Sequence, residues 1–168
     1  EAHREFPRDL TALLVRKLDS LGEEEKDLLL ATAGIGKSFK FNFLSKLKNI
    51  NSGYLQDVMR KAADKHIVDE KDFEDGSLGF GHALTRNLLY DGMDNVARQK
   101  LHLEIATFME SEHRDNLDEV AVDLAFHFNQ AKVESKFKDY VAWVMEYTER
   151  LFSTNEIERI IGDALAKR

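Results

Sequence analysis

The spacing of apolar residues along the chain predicts mainly helical structure. After Pro7 and Asp9, leucines recur every three or four residues as far as Leu21, so a helix over residues 8–21 would have one apolar face. The same spacing predicts three further helices in the first half of the chain: residues 23–33, 41–48 and 52–66.

Polar residues stand at the expected starts of two of these helices. Gly22 ends the first helix, and Ser20 with Glu23 has the spacing of a capping box for the second. Asn51 or Ser52 can cap the fourth helix, because either side chain can accept a hydrogen bond from the free backbone N–H groups of the first turn.

Short apolar groups replace the helical spacing after residue 66. Ile67-Val68 and Leu78-Gly79-Phe80 flank a polar turn that contains Asp75-Gly76, which predicts a two-stranded hairpin near residues 67–80. Helical spacing then resumes and predicts five more helices: residues 82–91, 94–112, 117–131, 135–152 and 155–167. Three helices followed by a hairpin give the order of a winged helix. The expected organisation is therefore a winged-helix domain over residues 1–80 and a helical extension over residues 81–168.

The amino-acid composition supports a mainly helical protein. The 168 residues include one proline and nine glycines, and 43% are hydrophobic, so a helical core of one domain or two small ones can form. The absence of cysteine excludes disulfides and thiolate metal sites. No apolar run reaches the roughly 18 residues of a membrane span, which favours a cytoplasmic protein. The chain opens on Glu1 without a methionine, which favours a segment of a longer protein.

One motif has the spelling of a phosphate-binding loop. The run Ala31-Thr32-Ala33-Gly34-Ile35-Gly36-Lys37-Ser38 ends in Gly-Lys-Ser, with alanine in place of the first glycine. A working loop follows a buried strand, whereas the charged run Glu23–Asp27 precedes this one. A degenerate nucleotide site at Lys37 and Ser38 stays an alternative, and the expected structure is the end of a helix.

The segment Phe80-Gly81-His82-Ala83-Leu84-Thr85-Arg86-Asn87-Leu88-Leu89-Tyr90 joins an expected strand to a helix and places a histidine at the join. Backbone N–H groups at a helix start favour an anion. With Ala97-Arg98-Gln99-Lys100-Leu101-His102, this segment resembles the winged-helix part of the STAND signalling ATPases, a branch of the AAA+-related NTPases in bacterial regulators. Val120–Phe128 and Tyr140–Val144 resemble the first hairpin of the tetratricopeptide-like array that follows it in that family.

The resemblance implies a role for His82. In the family, the histidine at this join faces nucleotide held by a preceding NTPase domain, so ATP or ADP is expected in a parent protein and no cofactor in this chain. Ala83 departs from the Met-His-Asp form of the motif, which has an aspartate there. The partners implied are the NTPase domain and further helical repeats of the same chain, together with an output or sensor domain.

The other histidines suggest no chemistry by their spacing. His102 and Glu104 form a His-x-Glu string without the cysteines of a zinc deaminase, and His127 lies on an apolar helix face. No catalytic constellation emerges, so the chain is expected to be a non-catalytic regulatory segment.

A winged helix also raises the possibility of DNA binding and transcription regulation. The net charge of −7 divides into +5 over residues 36–66 and −12 elsewhere. Candidate DNA-contacting residues on the fourth helix are Gln56, Arg60, Lys61 and Lys65. The acidic run Asp69–Asp75 in the expected hairpin disfavours DNA, so this function is the alternative to a protein adaptor.

Overall fold

The computed structural model describes residues 8–36, 38–69, 77–80 and 82–151. The prediction of a mainly helical chain is confirmed, and the helix bounds in this part agree with the predicted ones to within two or three residues at nearly every end. The eight α-helices of the described residues are α1 (Arg8–Asp19), α2 (Glu23–Ile35), α3 (Phe41–Leu47), α4 (Ser52–Asp64), α5 (Ala83–Gly92), α6 (Asn95–Glu112), α7 (Ala121–Gln130) and α8 (Glu134–Leu151). The predicted helix over residues 155–167 lies outside the described residues.

The described residues form two compact units. The first ends at Leu101 and the second begins at His102, so α6 passes from one unit to the other. The sequence instead predicts a domain boundary after residue 80. None of the described helices is both long enough and apolar enough to cross a membrane.

A small antiparallel sheet differs from the predicted hairpin. Strand β1 (Ser38–Lys40) pairs with β2 (Ser77–Gly79), and Phe39 stands opposite Leu78. Residues 67–68, predicted as the first strand, are not in a strand, although Asp69 makes an isolated antiparallel bridge to Gly79. The predicted turn at Asp75-Gly76 lies outside the described residues. Phe39 and Leu78 are both buried, and their pairing joins segments that are distant in sequence, so no local pattern reveals it.

Helix α2 begins differently from the predicted capping box. Its N-cap residue is Gly22, and the carboxylate of Glu25 accepts a hydrogen bond from the Gly22 N–H at 2.9 Å. Ser20 is therefore not the cap, and its hydroxyl donates to the carbonyl of Lys17. At α4 the prediction is confirmed, since the Asn51 side chain accepts a hydrogen bond from the Gly53 N–H at 2.7 Å.

Three helices of the described chain end on a left-handed residue that is not glycine. These residues are Asn49, His66 and Lys132, with φ between 49° and 60°. Each follows the C-cap of its helix, and the next N–H bonds back to a carbonyl five residues earlier, as from Ile67 to Ala62 at 2.9 Å. These bonds turn the chain sharply while satisfying carbonyl groups at the helix ends.

The core of the first unit forms where α2, α5 and the sheet meet and where α3 contacts α4. Leu29, Leu55 and Leu78 are fully buried there. Two threonines are buried as well. The Thr32 hydroxyl donates to the carbonyl of Leu29 at 2.6 Å, whereas the Thr85 hydroxyl has no hydrogen-bond partner among the described residues. A buried hydroxyl without a partner destabilises the folded state.

We expect Thr85→Val to raise the free energy of unfolding by about 1 kcal/mol, because valine has nearly the same shape and no polar atom to desolvate. Thr32→Val is the matched control and is expected to be neutral or destabilising, since it deletes a hydrogen bond. Urea unfolding followed by circular dichroism measures both variants. Equal changes in the two variants would contradict the assignment of the Thr85 hydroxyl as unsatisfied.

The second unit contains the end of α6, a short 3-10 turn (Leu117–Glu119), α7 and α8. Helices α7 and α8 pack against each other, and both contact the 3-10 turn. Its core includes Ile105, Leu124 and Phe128, all buried. This antiparallel arrangement of neighbouring helices agrees with the predicted helical hairpins.

Candidate functional site

His82 immediately precedes α5 and is its N-cap residue. Its backbone is extended (φ −137°, ψ 131°), and no side chain caps the helix. The His82 ring is exposed and forms no hydrogen bond with a described residue. The first N–H groups of a helix carry a partial positive charge, so the start of α5 suits a negatively charged group.

A cleft of about 390 Å³ adjoins this helix start. It brings His82 together with Lys17 of α1 and His66, the left-handed residue after α4. Neither Lys17 nor His66 forms an ion pair with any residue in the described part of the chain. The remaining lining is apolar: Leu13, Leu14, Ala83 and Leu84. The cleft therefore combines nitrogen-bearing side chains with a helix start and an apolar wall.

Lys17 and His66 were not predicted from the sequence as site residues. They lie far from His82 in sequence and in different elements, so their grouping depends on how α1 and the end of α4 pack. The one local sign of a site at His66 is its position directly after a helix, and histidines in such positions are also common on solvated surfaces. His82 can be identified from the sequence because its position at a strand-to-helix join is a local feature.

The phosphate-loop spelling does not adopt a loop over most of its length. Residues 31–35 lie within α2, and Thr32 and Ala33 are fully buried. Gly36 has φ 156° and ψ −158°, a conformation that favours glycine, and its carbonyl accepts a hydrogen bond from Arg86 Nε at 3.1 Å. Lys37 lies outside the described residues, and Ser38 begins β1. A helix thus stands where a nucleotide-binding loop would need a strand.

The candidate DNA-contacting residues share α4 and its C-cap but differ in their surroundings. Gln56 and Arg60 are exposed, and Arg60 lies 3.6 Å from Asp57. Lys61 donates to Glu25 at 2.7 Å, and Lys65 donates to the Ser20 hydroxyl at 2.7 Å. The Lys61 hydrogen bond, with one from the Gly22 N–H, lowers the pKa of the Glu25 carboxyl. Two of the four side chains therefore tie α4 to residues 20–25.

In the second unit, His102 and His127 form a buried pair. Their Nδ1 atoms are 2.8 Å apart, and both side chains are almost fully buried. One ring must donate its Nδ1–H while the other accepts. Burial, with a smaller contribution from His102, lowers the pKa of His127 to about 4. The sequence indicated a core position for His127, but it gave no sign that the two histidines would meet.

No group of three or more His, Cys, Asp or Glu side chains that could hold a metal ion occurs among the described residues. The combination with the most ligand-like chemistry in the first unit is thus the cleft of Lys17, His66 and His82.

Comparison of the chain with protein-family models, with curated proteins and with solved structures found no match.

Proposed function

We propose that this chain is a non-catalytic adaptor segment of a larger bacterial signalling ATPase. In this proposal the first unit is a winged helix, the helices after it begin a tetratricopeptide-like region, and the segment couples the nucleotide state of an NTPase domain to an output or sensor domain. The cleft at His82 carries the proposal. Its three nitrogen-bearing side chains and the start of α5 are complementary to a phosphate group.

The residues around the cleft support a site that contacts one phosphate group more than a site that holds a whole nucleotide. The phosphate-loop spelling is helical over residues 31–35, and the cleft holds no described carboxylate that could bind magnesium. The nucleotide is therefore held by another domain, and His82 contributes one hydrogen bond to a phosphate oxygen. ADP would favour a resting state only by as much as it binds that state more tightly.

Direct DNA binding has less support. Lys61 and Lys65 already donate to Glu25 and Ser20, and Arg60 lies 3.6 Å from Asp57, so three of the four candidates already have a partner within the described chain. DNA affinity rests largely on phosphate contacts by basic side chains. We therefore favour the protein adaptor over a transcription regulator.

We expect His82→Ala in the ATPase that contains this segment to weaken ADP binding about 10- to 150-fold, because a charge-assisted hydrogen bond contributes roughly 1.5–3 kcal/mol. Basal output is expected to increase, since the resting state loses stability relative to the active state. Calorimetry with ADP measures the affinity. His113→Ala is the matched control, because His113 lies in the second unit and bonds the carbonyl of Met109.

Unchanged ADP affinity in His82→Ala, with the fold intact by circular dichroism, would contradict the proposed contact. NMR of the histidine ring protons of this chain gives a second measurement. Pyrophosphate is expected to shift the signals of His82 and His66 with a dissociation constant in roughly the millimolar range, as suits a partial site. Shifts confined to His113 would also contradict the proposal.

A further inference from the structure

The second unit contains a groove of about 600 Å³ that differs in character from the cleft at His82. It is lined by six described residues, namely Asp118 of the 3-10 turn and, from α8, Asp139, Ala142, Trp143, Glu146 and Tyr147. We call this feature the acidic groove. Three carboxylates and two aromatic rings lie along it, and no described lining residue is basic.

Trp143 is held in place despite its exposure. The Trp143 side chain is 43% exposed, and its ring stacks on that of Tyr140 with 6.4 Å between centroids. Tyr140 is buried and stacks in turn on Phe128 at 5.7 Å, with the ring planes 6° apart. The row therefore runs from the core of the unit to the floor of the groove.

The middle ring of this row, Tyr140, is fixed by Glu110. The Tyr140 hydroxyl donates to Glu110, and Lys136 Nζ donates to the same carboxylate oxygen. Burial and the hydrogen bond to Glu110 raise the pKa of Tyr140, so its hydroxyl stays protonated as the donor. A preorganised aromatic surface loses little conformational freedom when a ligand covers it, which favours binding.

The charges of the acidic groove select a cationic ligand. Asp118 and Asp139 form no ion pair with a described residue, so their carboxylates are available to an incoming cation. An aromatic ring attracts a cation placed over its face, and Trp is the strongest of the aromatic side chains in this respect. Arginine suits both features, because its planar guanidinium can stack on a ring while its N–H groups donate to carboxylates.

We propose that the acidic groove binds an arginine-containing segment of a partner protein. Trp143 and Tyr147 supply the stacking surface, and Asp118, Asp139 and Glu146 supply the negative charge. A second copy of this chain is a poor occupant, because each copy carries a net charge of −7. This surface is independent of the cleft at His82, and its role does not depend on the proposed nucleotide contact.

Trp143 is the single tryptophan of the chain, so its fluorescence reports directly on the groove. Titration of the full chain with an acetylated, amidated hexa-arginine peptide is expected to give a saturable change in emission. Hexaglutamine is expected to give none, and hexalysine is expected to bind more weakly than hexa-arginine. Raising the salt concentration is expected to weaken binding, because exposed charge pairs are screened.

Two variants locate the site, with calorimetry as the readout. Trp143→Leu keeps an apolar side chain and is expected to weaken hexa-arginine binding about fivefold, as does Asp139→Asn. Asp91→Asn is the matched control. It changes the net charge equally but lies on α5 and does not line the groove, so it is expected to change the affinity less than about twofold.

Three results would overturn the proposal. The first is equal weakening by Asp91→Asn and Asp139→Asn, which would show non-specific attraction to an acidic protein. The second is unchanged Trp143 emission at saturating hexa-arginine. The third is concentration-dependent association of the chain, seen by sedimentation and removed by Trp143→Leu, which would assign the groove to a second copy.

Discussion

Acidification from pH 7 to pH 4 is expected to lower the free energy of unfolding of the second unit by about 3 kcal/mol. The cause is the buried pair of His102 and His127, whose Nδ1 atoms are 2.8 Å apart. In the folded state the pKa of His127 is about 4, against an ordinary value of 6.5. Each unit of difference between folded and unfolded pKa corresponds to about 1.4 kcal/mol.

The direction of this pH effect on stability follows from whether the folded or the unfolded state binds the proton more readily. Below pH 6.5 the unfolded chain protonates His127, while the folded chain does not until the pH approaches 4, so acid favours unfolding. Full stability is therefore present above pH 6.5 and is lost progressively as the pH falls. Glu25 and Glu110 also have lowered pKa values, but their contribution is lost only below about pH 4.5. The interval from pH 7 to 5 thus isolates the histidine effect.

Urea unfolding followed by Trp143 fluorescence at several pH values measures this loss in the unit that holds the pair. The double variant His102→Leu/His127→Leu is expected to unfold with little pH dependence between pH 7 and 5, since replacing both hydrogen-bond partners by apolar groups can be nearly neutral at pH 7. His127→Leu alone removes the partner of His102 at Nδ1 and is expected to destabilise the unit by about 1–3 kcal/mol at pH 7. A wild-type pH dependence that persists in the double variant would assign it to other groups.

Leu124→Ala is expected to lower the free energy of unfolding of the second unit by about 2–5 kcal/mol. Leu124 lies on α7 and is fully buried, so truncation removes apolar contacts and leaves a cavity that the surrounding helices fill only in part. A unit of this size is only marginally stable, and a loss at the upper end of this range would unfold it.

Val122 provides the matched control on the same helix. Its side chain is 65% exposed, so Val122→Ala is expected to change the free energy of unfolding by no more than about 0.5 kcal/mol. Urea unfolding followed by Trp143 emission compares the two variants. Similar effects of both substitutions would show that α7 is not packed as the structure describes.

The helices could be predicted from the sequence because their signals are local. Leucine spacing defines the apolar face of α1, and Asn51 marks the start of α4 with a side chain that does cap it. Strand β1 is not evident from the sequence because Phe39, Phe41 and Phe43, which alternate as in a strand, lead directly into Leu44 and Leu47, whose spacing from Phe43 fits a helix. Its partner Leu78 is remote in sequence, so only the folded chain determines the pairing.

The candidate sites could likewise be predicted only where their residues lie close together in the sequence. His82 could be singled out because a strand-to-helix join is visible locally, whereas Lys17 and His66 reach the cleft only through packing. The His102–His127 pair joins residues 25 positions apart on different helices. The predicted cap of α2 is wrong for a different reason. Ser20 and Glu23 have the spacing of a capping box, but Gly22 and Glu25 have the same spacing, and the hydrogen bond forms between Gly22 and Glu25.

The left-handed residues after α3, α4 and α7 bear on how this sequence can vary over evolution. Glycine at His66 or Lys132 would relieve backbone strain of about 1 kcal/mol, and glycine at Asn49 would relieve less because asparagine adopts this conformation readily, so the chain does not lie at its stability optimum. At Asn49 and Lys132 such drift would remove no side chain from the cleft. At His66, substitution by glycine would stabilise the fold but remove an imidazole from the cleft. Selection for the cleft and selection for stability would then act in opposite directions at this position.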